Sequence, residues 1–217
     1  MKARGDSPRG PWVKQLGIVP FRPSDIPAAN YGASSIVVAS PGMIVKSGVE
    51  YLMFVSGGGY SAKNNRAPYG NIAIARTKDL EGKWTFDQKP MVPWEETCEN
   101  ASLYFEPVNQ TWFLFCNHIN VSFTDAVWVY WTKDLNLWNR DCKAVVIDGS
   151  NCRWSRRCIG LPSVIKAGKR LAIFYDAPGG DSTSHMNRDV GLAWLDLPLL
   201  LPSQTNTPIA GPAGPAR

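Results

Sequence analysis

One short motif occurs three times in this chain at nearly constant spacing. The segments EYLMFVS, TWFLFCN and RLAIFYD align on Phe54, Phe115 and Phe174, which are 61 and 59 residues apart. A shorter apolar segment precedes each motif, and a polar loop with another apolar segment follows it. Short aromatic and β-branched runs bounded by turn residues predict β-strands. The chain therefore repeats a unit of four strands.

The third strand of this unit carries a second repeated motif. Thr-Lys-Asp-Leu occurs at 77–80 and at 132–135, and Trp84 and Trp138 follow within a few residues. An array of repeated antiparallel sheets is typical of a β-propeller. The strand composition excludes a helical solenoid, and a β-sandwich is an alternative that gives no reason for a repeat. The predicted fold class is all-β, a propeller of four-stranded antiparallel blades with about three blades complete.

Composition divides the chain into three segments. Residues 1–30 are rich in Pro, Gly and charge, and Pro11–Pro20 resembles the outer strand of an incomplete blade. Residues 31–202 carry the blades, and 203–217 form a Pro/Gly-rich tail that we expect to be disordered or a closing strap. Since a propeller typically closes with at least four blades, the incomplete edge is a surface through which the protein could self-associate.

A hairpin in the middle repeat brings candidate catalytic groups to one edge. Ala101–Phe105 and Trp112–Cys116 read as its strands, with Glu99 before the first and Asn117-His118 after the second. In a hairpin, the beginning of one strand and the end of its partner lie at the same edge. We therefore expect Glu99 and His118 to be neighbours. Only the middle repeat places an acid here, although pairing with a nearby arginine is the structural alternative.

The densest polar cluster follows the last copy of the motif, on the same predicted face of the propeller. It holds the acids Asp176 and Asp181, the imidazole of His185 and the guanidinium of Arg188 on a glycine-rich loop. Such a mixture suits a polyhydroxylated ligand, and histidine titrates near neutral pH. An exposed loop with a local Asp–Arg pair is the alternative interpretation.

Charge and motifs exclude several other functions. The net charge is +5, without a basic run interleaved with aromatics, so no nucleic-acid partner is expected. No apolar run approaches a membrane span, no secretion signal is visible, and the compartment stays open. The chain has five cysteines but no CxxC spacing, so a zinc site is not expected. Cys116 lies within a predicted strand and is expected in the core. No cofactor or metal is expected, because no nucleotide or metalloprotease motif occurs.

The blade pattern resembles the five-bladed β-propeller glycoside hydrolases, which include the arabinanase/β-xylosidase, invertase and neoagarobiose-hydrolase groups. The stretch from Glu99 to Asn117 is similar to the inner strand that bears the general-acid glutamate of the arabinanase/xylosidase group. Gly160–Asp176 and Arg188–Ala193 are similar to late blades of the superfamily. The resemblance spans about residues 31–200. It implies a hydrolase that acts on an oligo- or polysaccharide.

The resemblance also implies roles for individual residues. Hydrolysis needs two carboxyl groups, one as acid and one as base or nucleophile. Glu99 is the expected acid, and the second carboxylate is left open among Asp25, Asp176 and Asp181. His185 is a further catalytic candidate, since a histidine is implicated as acid in the neoagarobiose-hydrolase group. The expected substrate-binding residues are His118, Asn117, Asp176, Arg188 and Trp94. A non-catalytic carbohydrate-binding propeller, a truncated inactive homologue and a protein-interaction propeller are the alternatives.

Overall fold

A computed structural model describes residues 2–61, 63, 70–118 and 125–201 of this chain. Nearly all of its regular structure is β-strand, with three short 3-10 helices at Pro23–Asp25, Ala28–Tyr31 and Trp94–Glu96. The strands are β1 (Lys2–Arg4), β2 (Val13–Gln15), β3 (Ala33–Ser47), β4 (Glu50–Ser61), β5 (Gly70–Thr77), β6 (Thr85–Phe86), β7 (Cys98–Glu106), β8 (Thr111–His118), β9 (Ala126–Thr132), β10 (Lys143–Ile147), β11 (Gly160–Ala167), β12 (Arg170–Ala177) and β13 (Asp189–Asp196).

Three antiparallel sheets follow one another along the chain. The first contains β3 to β6 and the second β7 to β10, each in sequential order with four strands. The third contains β11, β12 and β13. The repeated unit inferred from the sequence is therefore confirmed as a sheet, and each copy of the Phe-centred motif forms its second strand. The described part of the third sheet has three strands rather than four.

Apolar side chains on both faces of the second sheet join it to its neighbours. Along β8, Leu114 and Cys116 pack into the core shared with the first sheet. Phe113 and Phe115, which point to the other face, pack into the core shared with the third sheet. Successive side chains of a strand alternate between its faces. The nearly continuous apolar run of this motif is thus explained by a strand that is buried on both sides.

The innermost strand of the first sheet differs from the sequence-based expectation. The sequence predicts two strands, Ser35–Ala39 and Met43–Lys46, on either side of a Pro-Gly turn or bend, but the structure has one 15-residue strand, β3. Its register with β4 shifts between Pro41 and Ile44, so the chain bulges there instead of turning back. A Cβ on Gly42 would lie 2.6 Å from the Phe54 carbonyl oxygen, which explains the glycine.

The N-terminal segment packs beside the first sheet. Within Pro11–Pro20, β2 pairs with β1 in a two-stranded sheet that is separate from the three larger sheets. The interpretation of this segment as the outer strand of an incomplete blade stays a prediction. Phe21, Ile26 and Tyr31 cover the face of the first sheet that is turned away from the second. All five cysteines are free thiols, and in the described part of the chain no helix has the length and hydropathy of a membrane span.

Candidate functional site

The beginning of β7 and the end of β8 meet at one edge of the second sheet, as the hairpin pattern predicts. Glu99 pairs in register with Asn117, and Cys98 pairs with His118. The expectation that Glu99 and His118 lie at one edge is confirmed by this register. The two side chains, however, point to opposite faces of the sheet, because neighbouring residues of a strand alternate.

Asn117 orients the Glu99 carboxylate. Its Nδ2 donates to Glu99 Oε1 at 3.2 Å, and its Oδ1 accepts hydrogen bonds from Asn100 Nδ2 at 2.9 Å and from the Leu161 amide at 3.3 Å. The Asn117 side chain is buried, and Gly160 packs against it so closely that a Cβ there would lie 3.1 Å from its Cγ. These contacts fix the amide, so the carboxylate has a defined position at the junction of two sheets.

The backbone beside Glu99 is irregular. A register shift lies between Glu99 and Ser102, and Asn100 adopts a φ of 61° in the left-handed region. The Asn100 amide donates to Ser56 Oγ at 2.6 Å, which links the bulge to the first sheet. At the beginning of β11, Leu161 has a φ of 50°. Strained backbone and bulges are concentrated at functional sites, and here they occur at the beginnings of two adjacent inner strands.

Glu99 lines a cavity of about 300 Å³ together with Asn100 and residues of β3, β4 and β5. The half-buried carboxylate shares it with the Asn100 side chain and with the Ser56 residue that holds the bulge. A volume of this size is at the lower end of the range for small-molecule sites. The other lining residues are small, apolar or aromatic: Val37, Val38, Ser40, Gly57, Gly58, Gly59, Tyr60 and Gly70.

His118 does not join this cavity. Its ring stacks on Trp128 with the centroids 4.5 Å apart, and Nε2 lies 2.8 Å from the Tyr130 hydroxyl. Tyr130 belongs to the core between the first and second sheets. The substrate-binding role expected for His118 therefore lacks support from its position, because the alternation of the strand turns the imidazole away from Glu99.

The face of the second sheet that carries His118 holds a group of mutually bonded polar side chains. The Tyr130 hydroxyl donates to Glu96 Oε2 at 2.8 Å, and Lys143 forms an ion pair with the same carboxylate oxygen. Burial acts to raise the pKa of Glu96, but the hydrogen bonds from Lys143 and Tyr130 outweigh it and lower this pKa. Two fully buried thiols, Cys98 and Cys116, adjoin this group.

The two thiols differ in acidity. Burial acts to raise the pKa of the Cys98 thiol, but hydrogen bonds from Cys116 and His118 lower it to about 6. Burial and the neighbouring Cys98 together raise the pKa of Cys116. Burial and the two sulfurs also raise the pKa of the Tyr130 hydroxyl. The sulfur, imidazole, phenol and carboxylate groups therefore form one electrostatically linked network beneath the edge that carries Glu99.

Asp176 and Arg188 form a bidentate ion pair at the same end of the third sheet. Arg188 Nε donates to Asp176 Oδ2 at 2.7 Å, Nη2 donates to Oδ1 at 2.6 Å, and Nη2 also donates to the Cys158 carbonyl oxygen at 2.5 Å. Hydrogen bonding to Asp176 raises the pKa of the guanidinium, and the buried Asp125 adds to this effect. Bidentate pairs fix geometry as well as charge. The pair therefore holds the β12–β13 loop against the edge where Gly160 meets Asn117.

Asp181 and His185 lie on the exposed part of this loop. Asp181 forms an ion pair with Arg156 at 3.1 Å, and about two thirds of each side chain is exposed. His185 is exposed as well. The local Asp–Arg pair that the sequence left open as an alternative is thus the arrangement seen for Asp181. The described contacts do not bring either side chain to the Glu99 cavity.

Asp25 lines a cavity that is separate from the Glu99 cavity. Its Oδ2 accepts a hydrogen bond from the Arg22 amide at 2.7 Å, which caps the beginning of the 3-10 helix Pro23–Asp25. It lines a separate cavity with Glu81 and Lys83, which follow the end of β5, whereas Gly70 at the beginning of β5 lines the Glu99 cavity. The approach loop therefore does not bring Asp25 to Glu99.

Trp94 lines a larger groove of about 710 Å³ between the first two sheets. Tyr31, Met91 and Trp138 contribute apolar surface there, and Arg140 contributes a charge. Trp138 follows the end of β9, whereas Glu99 lies beside the beginning of that strand. Trp94 therefore lies on a surface that is separate from the Glu99 cavity, and its expected role in substrate binding would apply to that surface.

Sequence reasoning did not select two residues of the Glu99 site. Asn100 and Ser56 hold the bulge through the hydrogen bond from the Asn100 amide to Ser56 Oγ. Asn100 directly follows Glu99, and asparagine tolerates the left-handed region better than most residues. That preference is the one signal in the sequence that could have identified a bulge here. The partnership of Asn100 with Ser56 joins residues 44 positions apart, so no local pattern indicates it.

Comparison with known proteins gives structural relatives only. No protein-family model matches the sequence, and no curated protein matches it significantly. An endo-arabinase from Bacteroides thetaiotaomicron has 14% sequence identity and a TM-score of 0.55, and the match covers 76% of this chain. A thermostable family-43 glycoside hydrolase (16% identity, TM-score 0.55) matches over 78% of this chain. The α-L-arabinofuranosidase of Podospora anserina in complex with cellotriose (12%, TM-score 0.53) matches over 77%.

This chain spans about half the length of those solved structures, with 57%, 53% and 56% of them covered. At such low identity the likeness concerns the fold, which agrees with the succession of antiparallel sheets. The expected resemblance to the arabinanase and xylosidase propellers is confirmed at this level. The chain thus has a partial β-propeller fold of the kind found in the arabinanase-like glycoside hydrolases.

Proposed function

We propose that this protein is a glycoside hydrolase-like propeller that binds an oligosaccharide at the Glu99 cavity. The observation that carries this proposal is the Glu99 carboxylate, which Asn117 holds at the opening of a cavity at the beginning of an inner strand. Carboxylate and amide groups accept and donate hydrogen bonds to sugar hydroxyls, and Tyr60 adds an aromatic surface on which a sugar ring can pack.

The structural relatives suggest the class of sugar. One of them is named as an endo-arabinase, and another contains bound cellotriose. Arabino-oligosaccharides and cello-oligosaccharides are therefore the first ligands to test. Titration calorimetry with arabinotriose and cellotriose should show binding of at least one of them to the wild-type protein.

The Glu99→Gln variant tests where the sugar binds. Loss of a charge-assisted hydrogen bond of about 1.5 kcal/mol should weaken the affinity roughly tenfold. Glu50→Gln is the matched control, because Glu50 begins β4 and lies at the opposite end of the first sheet. Equal affinity of the Glu99→Gln variant and the wild type would remove the cavity from the proposal. Absence of binding to all oligosaccharides on a glycan array would favour a protein-interaction propeller.

Hydrolysis with Glu99 as the general acid is the second candidate function. The position of Glu99 at the beginning of an inner strand favours it, because that is the position that the resemblance to the arabinanase group implies for the acid. A second carboxylate about 5 to 10 Å away is also required. Arg188 holds the Asp176 carboxylate and Arg156 holds that of Asp181. The described carboxylates therefore support binding better than they support cleavage.

A product assay separates the two candidates. The sugars that bind should be incubated with the protein, and reducing ends should be measured over time. If the protein is an enzyme, Glu99→Gln should lower turnover by orders of magnitude while the thermal unfolding curve stays unchanged. An unchanged rate in this variant would exclude Glu99 as the acid, and a lack of product from any bound sugar would leave binding as the function.

A further inference from the structure

Two thiols and an imidazole converge on the face of the second sheet opposite Glu99. Cys98 and His118 are register partners on β7 and β8, and Cys116 lies two residues before His118 on the same face. One donor atom from each residue lies within 4.8 Å of the donor atoms of the other two. Both thiols are fully buried, and the imidazole is half-buried at the rim. It is the one such group of potential metal ligands among residues 2–61, 63, 70–118 and 125–201.

We infer that Cys98, Cys116 and His118 form a binding site for one zinc-like divalent metal ion. Two thiolates and one imidazole are a ligand set that zinc takes in proteins. With zinc–sulfur bonds of about 2.3 Å, two sulfurs of a tetrahedral site lie about 3.8 Å apart. Small rotations of the side chains would bring donors now within 4.8 Å of one another to that separation.

The charge of the two thiolates favours a divalent metal ion over a monovalent one at this site. Two thiolates supply two negative charges, so a divalent ion with a neutral imidazole makes the buried site neutral. The Glu96 carboxylate nearby is already balanced by Lys143. A buried charge that lacks a partner is strongly unfavourable. A monovalent ion at this position would leave one uncompensated negative charge in the core between the first and second sheets.

The surrounding hydrogen bonds have the form of an outer shell for a metal site. The Tyr130 hydroxyl lies 2.8 Å from His118 Nε2 and 3.6 Å from Cys98 Sγ, so it contacts two of the three ligand residues. Glu96 accepts the hydrogen bond of that hydroxyl. Carboxylate groups that anchor the neighbours of a metal ligand commonly orient the ligands in metalloproteins. Tyr130 is thus placed to orient His118 and Cys98 as ligands.

The ion would brace the edge that carries the Glu99 site. Cys98 directly precedes Glu99, and His118 directly follows Asn117, so the ligands pin both strands one residue away from the carboxylate–amide pair. The inference does not depend on the proposed function, since the site can bind metal whether or not a sugar binds at Glu99. An oxidised Cys98–Cys116 pair is the competing use of the same sulfurs.

Cobalt is a spectroscopic probe for this site. The full-length protein, reduced and freed of metal by a chelator, should be titrated with Co²⁺. We expect a sulfur-to-cobalt charge-transfer absorption that saturates at one ion per chain and disappears when Zn²⁺ is added. Cys116→Ala and His118→Gln should each weaken Co²⁺ binding at least tenfold. Cys142→Ser is the matched control, since Cys142 lies on the loop before β10, and it should bind as the wild type does.

Two measurements keep the test independent of how well the variants fold. X-ray absorption of the zinc-loaded wild-type protein should show two sulfur ligands, and Zn²⁺ should raise its melting temperature. Three results would overturn the inference. These are the absence of a charge-transfer band, an equal rise in melting temperature in a folded Cys116→Ala variant, and a Cys98–Cys116 disulfide in protein alkylated before any reductant is added.

Discussion

Glu106 is a buried carboxylate at the end of β7, with 2% of its surface exposed. It accepts hydrogen bonds from the Tyr104 hydroxyl at 3.2 Å, from the Val108 amide at 3.1 Å and from the Leu199 amide at 3.0 Å. A Glu106→Gln change replaces one acceptor oxygen with a donor, which leaves at least one buried N–H or O–H without an acceptor. We expect the free energy of unfolding to fall by about 2 kcal/mol.

Urea unfolding of the Glu106→Gln variant measures this loss. Glu95→Gln, at an exposed position of the 3-10 helix before β7, is the control and should change stability by less than about 0.5 kcal/mol. Equal stability of the two variants would show that the Glu106 hydrogen bonds contribute little in the folded state.

The Tyr104 hydroxyl should make the free energy of unfolding depend on pH in the alkaline range. Burial raises the pKa of its hydroxyl to about 12, and the neighbouring Glu106 contributes to the shift. In the unfolded chain the same group releases its proton near pH 10. Between these values the unfolded state binds fewer protons, so the contribution of Tyr104 is present below pH about 10 and is lost as pH rises towards 12.

The Tyr104→Phe variant isolates this effect. Its free energy of unfolding should fall less steeply than that of the wild type as pH increases above about 10. Urea titrations over that range measure both slopes. Parallel pH profiles for the two proteins would mean that the folded state does not retain the Tyr104 proton.

At the scale of the element, β3 is shaped by close contacts between backbones. A Cβ on Gly59 would lie 2.1 Å from the Ser35 carbonyl oxygen on the paired strand. Backbone cannot move aside cheaply, so Gly59→Ala should destabilise the protein by about 2 kcal/mol. The same change should weaken sugar binding, because Gly59 lines the Glu99 cavity.

The control for this change is Gly17→Ala. A Cβ there would meet nothing within 4 Å among the described residues, so stability and sugar affinity should stay at the wild-type values. Chemical unfolding and calorimetry provide both readouts. A Gly59→Ala variant as stable as Gly17→Ala would mean that β3 and β4 can separate without cost.

Local patterns predicted the strands well and their interruptions poorly. The hairpin of β7 and β8 was expected from apolar runs separated by turn residues, and its register agrees with that expectation. The Pro-Gly pair at 41–42 indicated a turn or a bend between two strands, but contacts with Phe54 and Ala101 hold it as a bulge inside one strand. Turn propensity acts within a few residues, whereas these contacts come from another strand and another sheet, so tertiary packing overrides it.

At the scale of the whole molecule, the three sheets are not covered equally. Sheets on both sides cover the second sheet, and the N-terminal segment covers the free face of the first. One face of the third sheet instead exposes Phe174 and its register partner Leu192, together with Trp194. A second copy of the chain, packed face to face, would cover this surface in the same way.

We therefore predict that the protein self-associates through this exposed face of the third sheet. Light scattering should show a mass that rises with protein concentration, and Leu192→Lys should suppress the rise because it buries a charge in the contact. Leu137→Lys is the matched control, since Leu137 is an exposed leucine on the outer turn of the second sheet and should not alter association. A monomer at all concentrations would contradict the prediction.

The sequence by itself determined the repeated sheet, the all-β class and the edge where Glu99 meets the end of β8. Those features depend on the spacing of apolar residues and on hairpin geometry, which are local properties. Only the tertiary structure decided that His118 turns away from Glu99 towards Cys98 and Cys116, and that Asp176 is held by Arg188. A bulge between Glu99 and Ser102 changes which side chains face each neighbouring sheet. Its stabilising contacts come from residues far away in the chain, so spacing alone could not reveal it.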